Sequence, residues 1–131
     1  MKKSYLIIKN RNLVKKIYPD EIFYIMRDGR KLLISSRLGK YSYYEKIENV
    51  SPLLGGDFFM LLKGVYINFK YVNEIKENKV FFENGETLYL GNNGFIRAKR
   101  KFYGYLIISK KIAEGAMERN ILDEYMKKTD K

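Results

Sequence analysis

The 131-residue chain has no cysteine, no histidine and no tryptophan. Without cysteine there are no disulfides and no thiolate metal sites, and a cytoplasmic location fits that lack. Missing cysteine and histidine together remove most zinc sites and the usual nucleophile–imidazole triads. Only carboxylate, Lys, Tyr or Ser chemistry remains for an enzyme, and no spacing supports it. The acidic pairs Asp20-Glu21 and Asp123-Glu124 read as capping or solvated residues. We therefore expect no enzymatic activity, no cofactor and no metal. Long apolar runs are also absent. After the basic start, the apolar part is only Tyr5 to Ile8, too short for a signal peptide. No uncharged run approaches the roughly 18 residues of a membrane span.

What is present is enough for a folded domain. Hydrophobic residues make up 46% of the chain, which separates it from disordered tails and predicts one core-bearing unit. The net charge is +11 and is unevenly spread. Residues 1–50 carry 12 basic and 5 acidic side chains, residues 51–91 carry 4 and 5, and residues 92–131 carry 10 and 5. A near-neutral centre between two basic ends suggests surfaces that face a polyanion, or a lysine-rich solvated exterior.

Strand patterns dominate. "SYLIIKN" and "NLVKKIYP" are rich in β-branched and aromatic residues and are separated by a polar "NRN". Ile22 to Met26 predicts a strand, Asp28-Gly29 a hairpin turn, and Lys31 to Ser35 the return. A turn at Leu38-Gly39-Lys40 leads into a tyrosine-rich arm. The spacing of Ile47, Val50 and Leu54 predicts a short helix within 44–54, interrupted by Pro52. "DFFMLLK" and "GVYINFKYVNEI" read as two apolar strands with Lys63-Gly64 as the loop between them. Asn84-Gly85 marks another hairpin, from Val80 to Leu90. From Phe95 the pattern turns helical, with Phe95, Ala98, Phe102, Tyr105 and Leu106 on one stripe. A second helix is expected after Gly115, where Ile121, Leu122 and Tyr125 share a face.

This order of elements resembles the LytTR family of bacterial DNA-binding domains from about Ser4 to Lys111. The family's acidic entry into an Ile-x-Tyr-Ile-like strand reads here as "DEIFYIM". Its Phe-Phe-Arg-x-His-Arg-Ser-x-x-Val-Asn signature reads "FFMLLKGVYIN", and its following Ile and Asn-Gly hairpin read "VNEI" and "VFFENGETLYL". Met60, Leu62 and Gly64 stand where the signature has Arg, His and Ser, and Lys63 replaces its second Arg. The resemblance implies a mainly β fold with some α: several short antiparallel sheets and hairpins, one short inner helix and a helical C-terminus. It implies a LytTR-like domain over 1–111 and a C-terminal helical extension over 112–131.

It also implies that loops, rather than a recognition helix, enter successive major grooves of double-stranded DNA at repeated sites. Arg27, Arg30 and Lys31 cluster on a hairpin tip that corresponds to a groove-entering loop; Arg suits guanine edges and Lys suits phosphate. Lys63 occupies a signature position in a DNA-facing loop. Asn92 and Asn93 fall near the last recognition loop and either read adenine or cap the following helix. Arg97, Lys99, Arg100 and Lys101 follow, placed for phosphate or for solvent. Asn68 matches the signature's final asparagine and suits a turn cap. The expected activity is sequence-specific transcription regulation, as a homodimer or in tandem on repeated sites. The chain leaves no room for a phosphoacceptor receiver domain, so regulation is expected from expression, a protein partner or oligomerisation. The rival expectation is a protein-interaction module that kept the framework and lost DNA reading.

Overall fold

A computed structural model describes residues 4–128. The first three residues of the expected domain and the last three of the expected extension lie outside these. Among the described residues, ten strands form three antiparallel sheets. The first is the hairpin β1 (Leu6–Lys9) and β2 (Val14–Ile17). The central sheet holds β3 (Ile22–Asp28), β4 (Lys31–Ser36), β5 (Gly39–Tyr44), β6 (Phe58–Leu62) and β7 (Val65–Asn68), in the order β5-β4-β3-β7-β6. The third runs β10-β9-β8, from β8 (Val72–Lys76), β9 (Lys79–Phe82) and β10 (Thr87–Tyr89). The helices are α1 (Ile47–Val50), α2 (Gly91–Ala113) and α3 (Arg119–Lys127).

Strand alternation divides the central sheet between two cores. Ile25, Leu32 and Ile34 point into one, where they meet Leu6, Ile8 and Ile17 of the first hairpin and Ile47 and Val50 of α1. Phe59, Leu61 and Ile67 point into the other, against Val80 and Phe82 of the third sheet and Ala98, Phe102 and Tyr105 of α2. Strict alternation would send Phe23 and Tyr24 to opposite faces. An irregularity in the β3–β4 register between Ile22 and Tyr24 lets both face the second core. Phe69 sits at its centre, with ring centroids 5.2 Å from Phe59, 5.1 Å from Phe102 and 5.4 Å from Tyr105. Aromatic pairs at these separations add favourable ring–ring contacts to their burial.

The run "GVYINFKYVNEI" is two strands rather than one. β7 ends at Asn68, a 3-10 turn covers Phe69–Tyr71, and β8 then joins a different sheet. Asn68 makes the break possible. Its side-chain oxygen accepts from the Lys70 backbone N–H at 3.0 Å, and its amide donates to the Ile22 carbonyl at 2.9 Å. A buried apolar side chain would leave both backbone groups unpaired. Asn73 lies in the β8–β9 register irregularity between Val72 and Glu74, exposed.

α2 begins at Gly91, before the expected Phe95, and runs unbroken past residue 111. Glycine disfavours helix intrinsically, but Gly94 lets α2 approach β6 closely: a Cβ there would lie 3.1 Å from Leu61 Cδ1, which would have to shift by a few tenths of an ångström. Leu106, expected in the buried stripe, is exposed, because Ala98, Phe102 and Tyr105 define a face that excludes it. α3 docks beside α2 with Leu122 fully buried. Tyr105 Oη donates to Asp57 at 2.9 Å, and Arg119 bonds the same carboxylate at 3.2 Å.

Candidate nucleic-acid interface

Two hairpin tips meet at one end of the central sheet. β3 and β4 pair up to Asp28↔Lys31, leaving Gly29-Arg30 as the two-residue loop, one position later than Asp28-Gly29. Gly29 has φ of 62°, the conformation that a hairpin loop with glycine first requires. β6 and β7 are joined by Lys63-Gly64, with Gly64 at φ 88°. β3 pairs with β7 at Met26↔Val65, so the loops are neighbours.

Backbone and side-chain contacts fix them together. The Arg27 N–H donates to the Gly64 carbonyl at 2.7 Å. A Cβ on Gly64 would lie 3.1 Å from Arg27 Cβ and 3.4 Å from its Nε. Gly64 thus lets the Arg27 side chain cross directly over the second tip. Arg27, Arg30, Lys31 and Lys63 are exposed around this junction. Lys31 is opposite Tyr44 on β5, and its Nζ stands 4.9 Å from that ring's centroid.

The start of α2 reaches the same end. Gly94 abuts Leu61, two residues before Lys63, and Arg97 donates to the carbonyls of Leu61 and Met60. Asn92 and Asn93 precede these contacts and lie exposed in the first turn of α2. The helix's N-cap position is Leu90, so neither asparagine fills it. Asn92 Oδ1 accepts from Asn78 Nδ2 at 2.8 Å, and the Leu90 N–H donates to the Asn78 carbonyl at 2.7 Å. The β8–β9 turn thereby fixes where α2 starts.

Four basic residues of α2 divide by helical position. Lys99 and Arg100 are exposed. Arg97 turns inward along β6, an edge strand, and its guanidinium carbon is 5.3 Å from the Phe59 ring centroid. Covering carbonyls of an edge strand blocks further strand pairing there. Lys101 is only 6% exposed. Its ammonium donates to the Tyr125 carbonyl at 2.6 Å and the Lys128 carbonyl at 3.2 Å. Those are carbonyls at the C-terminus of α3, where a cation is favoured. Lys101 therefore departs from its expected place on a phosphate-facing surface: its charge is spent inside the protein. Sequence reasoning missed Tyr44 and Lys46, which line a groove beside the tip with Arg27, Arg30, Glu45 and Glu48. Tyr44 was locatable from strand register, since it pairs with Lys31.

Away from this end, Glu86 joins the third sheet to the central one. Ser35 Oγ donates to its Oε2 at 2.7 Å, and Lys40 Nζ lies 2.9 Å from its Oε1. Burial alone would raise this carboxyl, but the hydrogen bonds from Lys40 and Ser35 and the Lys40 charge hold it below the ordinary carboxylate value. Among the described residues no cluster of acidic side chains is arranged to hold a metal ion, and no helix is long and apolar enough to cross a membrane.

A LytTr DNA-binding domain from Bacillus cereus has a similar structure, with a TM-score of 0.63 at 15% identity, covering 79% of this chain and 99% of that one. No curated protein matches the sequence. The profile of the family described as the LytTr DNA-binding domain matches residues 12–103, well over half of the chain. The chain belongs to the LytTr family of DNA-binding domains.

Proposed function

We propose that this chain is a transcription regulator that binds double-stranded DNA in a sequence-specific way through the end carrying the two hairpin tips. The observation that carries the reading is the Arg27–Gly64 junction, which packs Arg27, Arg30, Lys31 and Lys63 around adjacent loops. Arg30, in the tight turn, presents two parallel donors suited to a guanine edge. Lys31 and Lys63 supply point charges for phosphate, and Asn93 stands at the third element of this end. Asn92 would have to release Asn78 before reading a base with both amide atoms. Lys99 and Arg100, further along α2, add phosphate attraction and salt dependence. Tandem or dimeric binding on repeated sites fits so small a contact end.

A second reading rests on Met60 and Leu62, which are 46% and 52% exposed beside Lys63. Exposed apolar side chains at a tip suit a protein partner better than phosphate. Duplex binding followed by fluorescence polarisation separates the two. Arg30→Glu with Lys63→Glu is expected to abolish binding of upstream duplexes while leaving the thermal midpoint in place. Unchanged duplex binding in that variant would remove DNA contact from this end.

A further inference from the structure

The outward face of α2 is apolar where a solvated helix would be polar. Ala98, Phe102 and Tyr105 face the core, whereas Ile96, Tyr103 and Ile107 point the opposite way and are 53%, 68% and 38% exposed. These three recur at spacings of seven and four residues, the seam spacing of paired helices. Lys99, Arg100 and Tyr103 close around Ile96 in a shallow apolar depression. α3 packs on a different side: a Cβ on Gly104 would collide with Tyr125 of α3, and Lys101 bonds its end. The seam is thus left uncovered by the described residues.

Charge identifies the occupant. α2 contains six basic residues and no acidic one. Arg97 and Lys101 turn inward, whereas Lys99, Lys110 and Lys111 flank the apolar seam and are exposed. A second copy would bring the same cations face to face on a chain already at +11. A bilayer would gain little from Ile96, Tyr103, Ile107 and the neighbouring Leu106 alone, all of them only partly exposed. We infer that α2 docks an acidic amphipathic helix of a partner protein, with apolar residues in heptad register against Ile96, Tyr103 and Ile107 and Asp or Glu against Lys99, Lys110 and Lys111. Apolar contacts would supply most of the affinity, and the charges would select the partner and its orientation.

The test uses the full chain and a designed peptide of about three heptads with Leu at the seam positions and Glu on both flanks. Two further probes are a scrambled peptide of equal composition and vesicles of zwitterionic and anionic phospholipid. Calorimetry is expected to show saturable binding of the Glu-flanked peptide. The variant Ile96→Ser, Tyr103→Ser, Ile107→Ser should weaken it by roughly tenfold or more, since anchors of this kind dominate interfaces. All three positions are exposed, so an unchanged thermal midpoint verifies that the variant folds. Duplex binding by the variant should be retained, which keeps this test apart from the DNA reading. Three results would overturn the inference: equal binding of the scrambled peptide, binding to vesicles but not peptide, or sedimentation as a dimer that the triple variant abolishes.

Discussion

The Lys101 ammonium lies 4.2 Å from the Tyr125 ring centroid while donating to that residue's carbonyl oxygen. One buried cation thus holds the last turn of α3 from two directions. Lys101→Met keeps the length of the side chain and leaves the Tyr125 and Lys128 carbonyls without this donor. The expected cost is about 1–3 kcal/mol of stability, the range for stranded polar groups. Urea unfolding followed by far-ultraviolet circular dichroism measures it. Duplex affinity should stay the same, although Lys101 sits in the most basic stretch of the sequence.

Gly64 is a second site where backbone rather than side-chain chemistry decides. Its φ of 88° and its closeness to Arg27 both disfavour any side chain. Gly64→Ala is expected to lower stability by about 1–2 kcal/mol, the scale of the left-handed penalty. It should also displace Arg27, so duplex affinity falls together with the urea midpoint. Loss of stability with unaltered affinity would show that Arg27 does not act through this contact.

Much of the fold is legible in the residues because turns and alternation are local. Asn84-Gly85 announces its hairpin, and its tight turn is closed by the Glu86 N–H donating to Asn84 Oδ1 at 3.0 Å. The break at Asn68 is hidden, because apolar residues on both sides face one core while their strands belong to two sheets. The early start of α2 is hidden by two glycines: Gly91 has a φ of 70°, and Gly94 packs on Leu61, distant in sequence. The site residues divide in the same way. Arg30 and Lys63 are legible as loop cations next to glycine. Arg97 and Lys101 look identical to their exposed neighbours, and only the placement of β6 and α3 reveals their inward roles.

Glu86 predicts an acid-sensitive link between sheets. A carboxyl held below its ordinary value contributes stability that is complete above that value, 4.5, and is lost as pH falls through the lower folded-state value. Denaturant midpoints measured from neutral pH downward should therefore decline in the wild type below about pH 4.5. In Glu86→Gln the decline should be shallower, from a lower starting midpoint. Parallel curves for the two proteins would show that Glu86 does not couple protonation to folding.

The most direct measurement is a salt-resolved titration of Arg30→Ala and Lys99→Ala against duplexes from the gene's upstream region and their single-base variants. If the hairpin end reads DNA, Arg30→Ala costs about 1–3 kcal/mol on the preferred duplex and relaxes preference at one base position. Lys99→Ala should weaken all duplexes alike and flatten the salt slope by about one, the mark of a lost phosphate contact. Both variants should keep the wild-type thermal midpoint, since exposed charges contribute little to folding. Equal, weak affinity of the wild type for every duplex, unaltered by Arg30→Ala, would contradict sequence reading by this end and leave Met60 and Leu62 as the marks of a protein-binding tip.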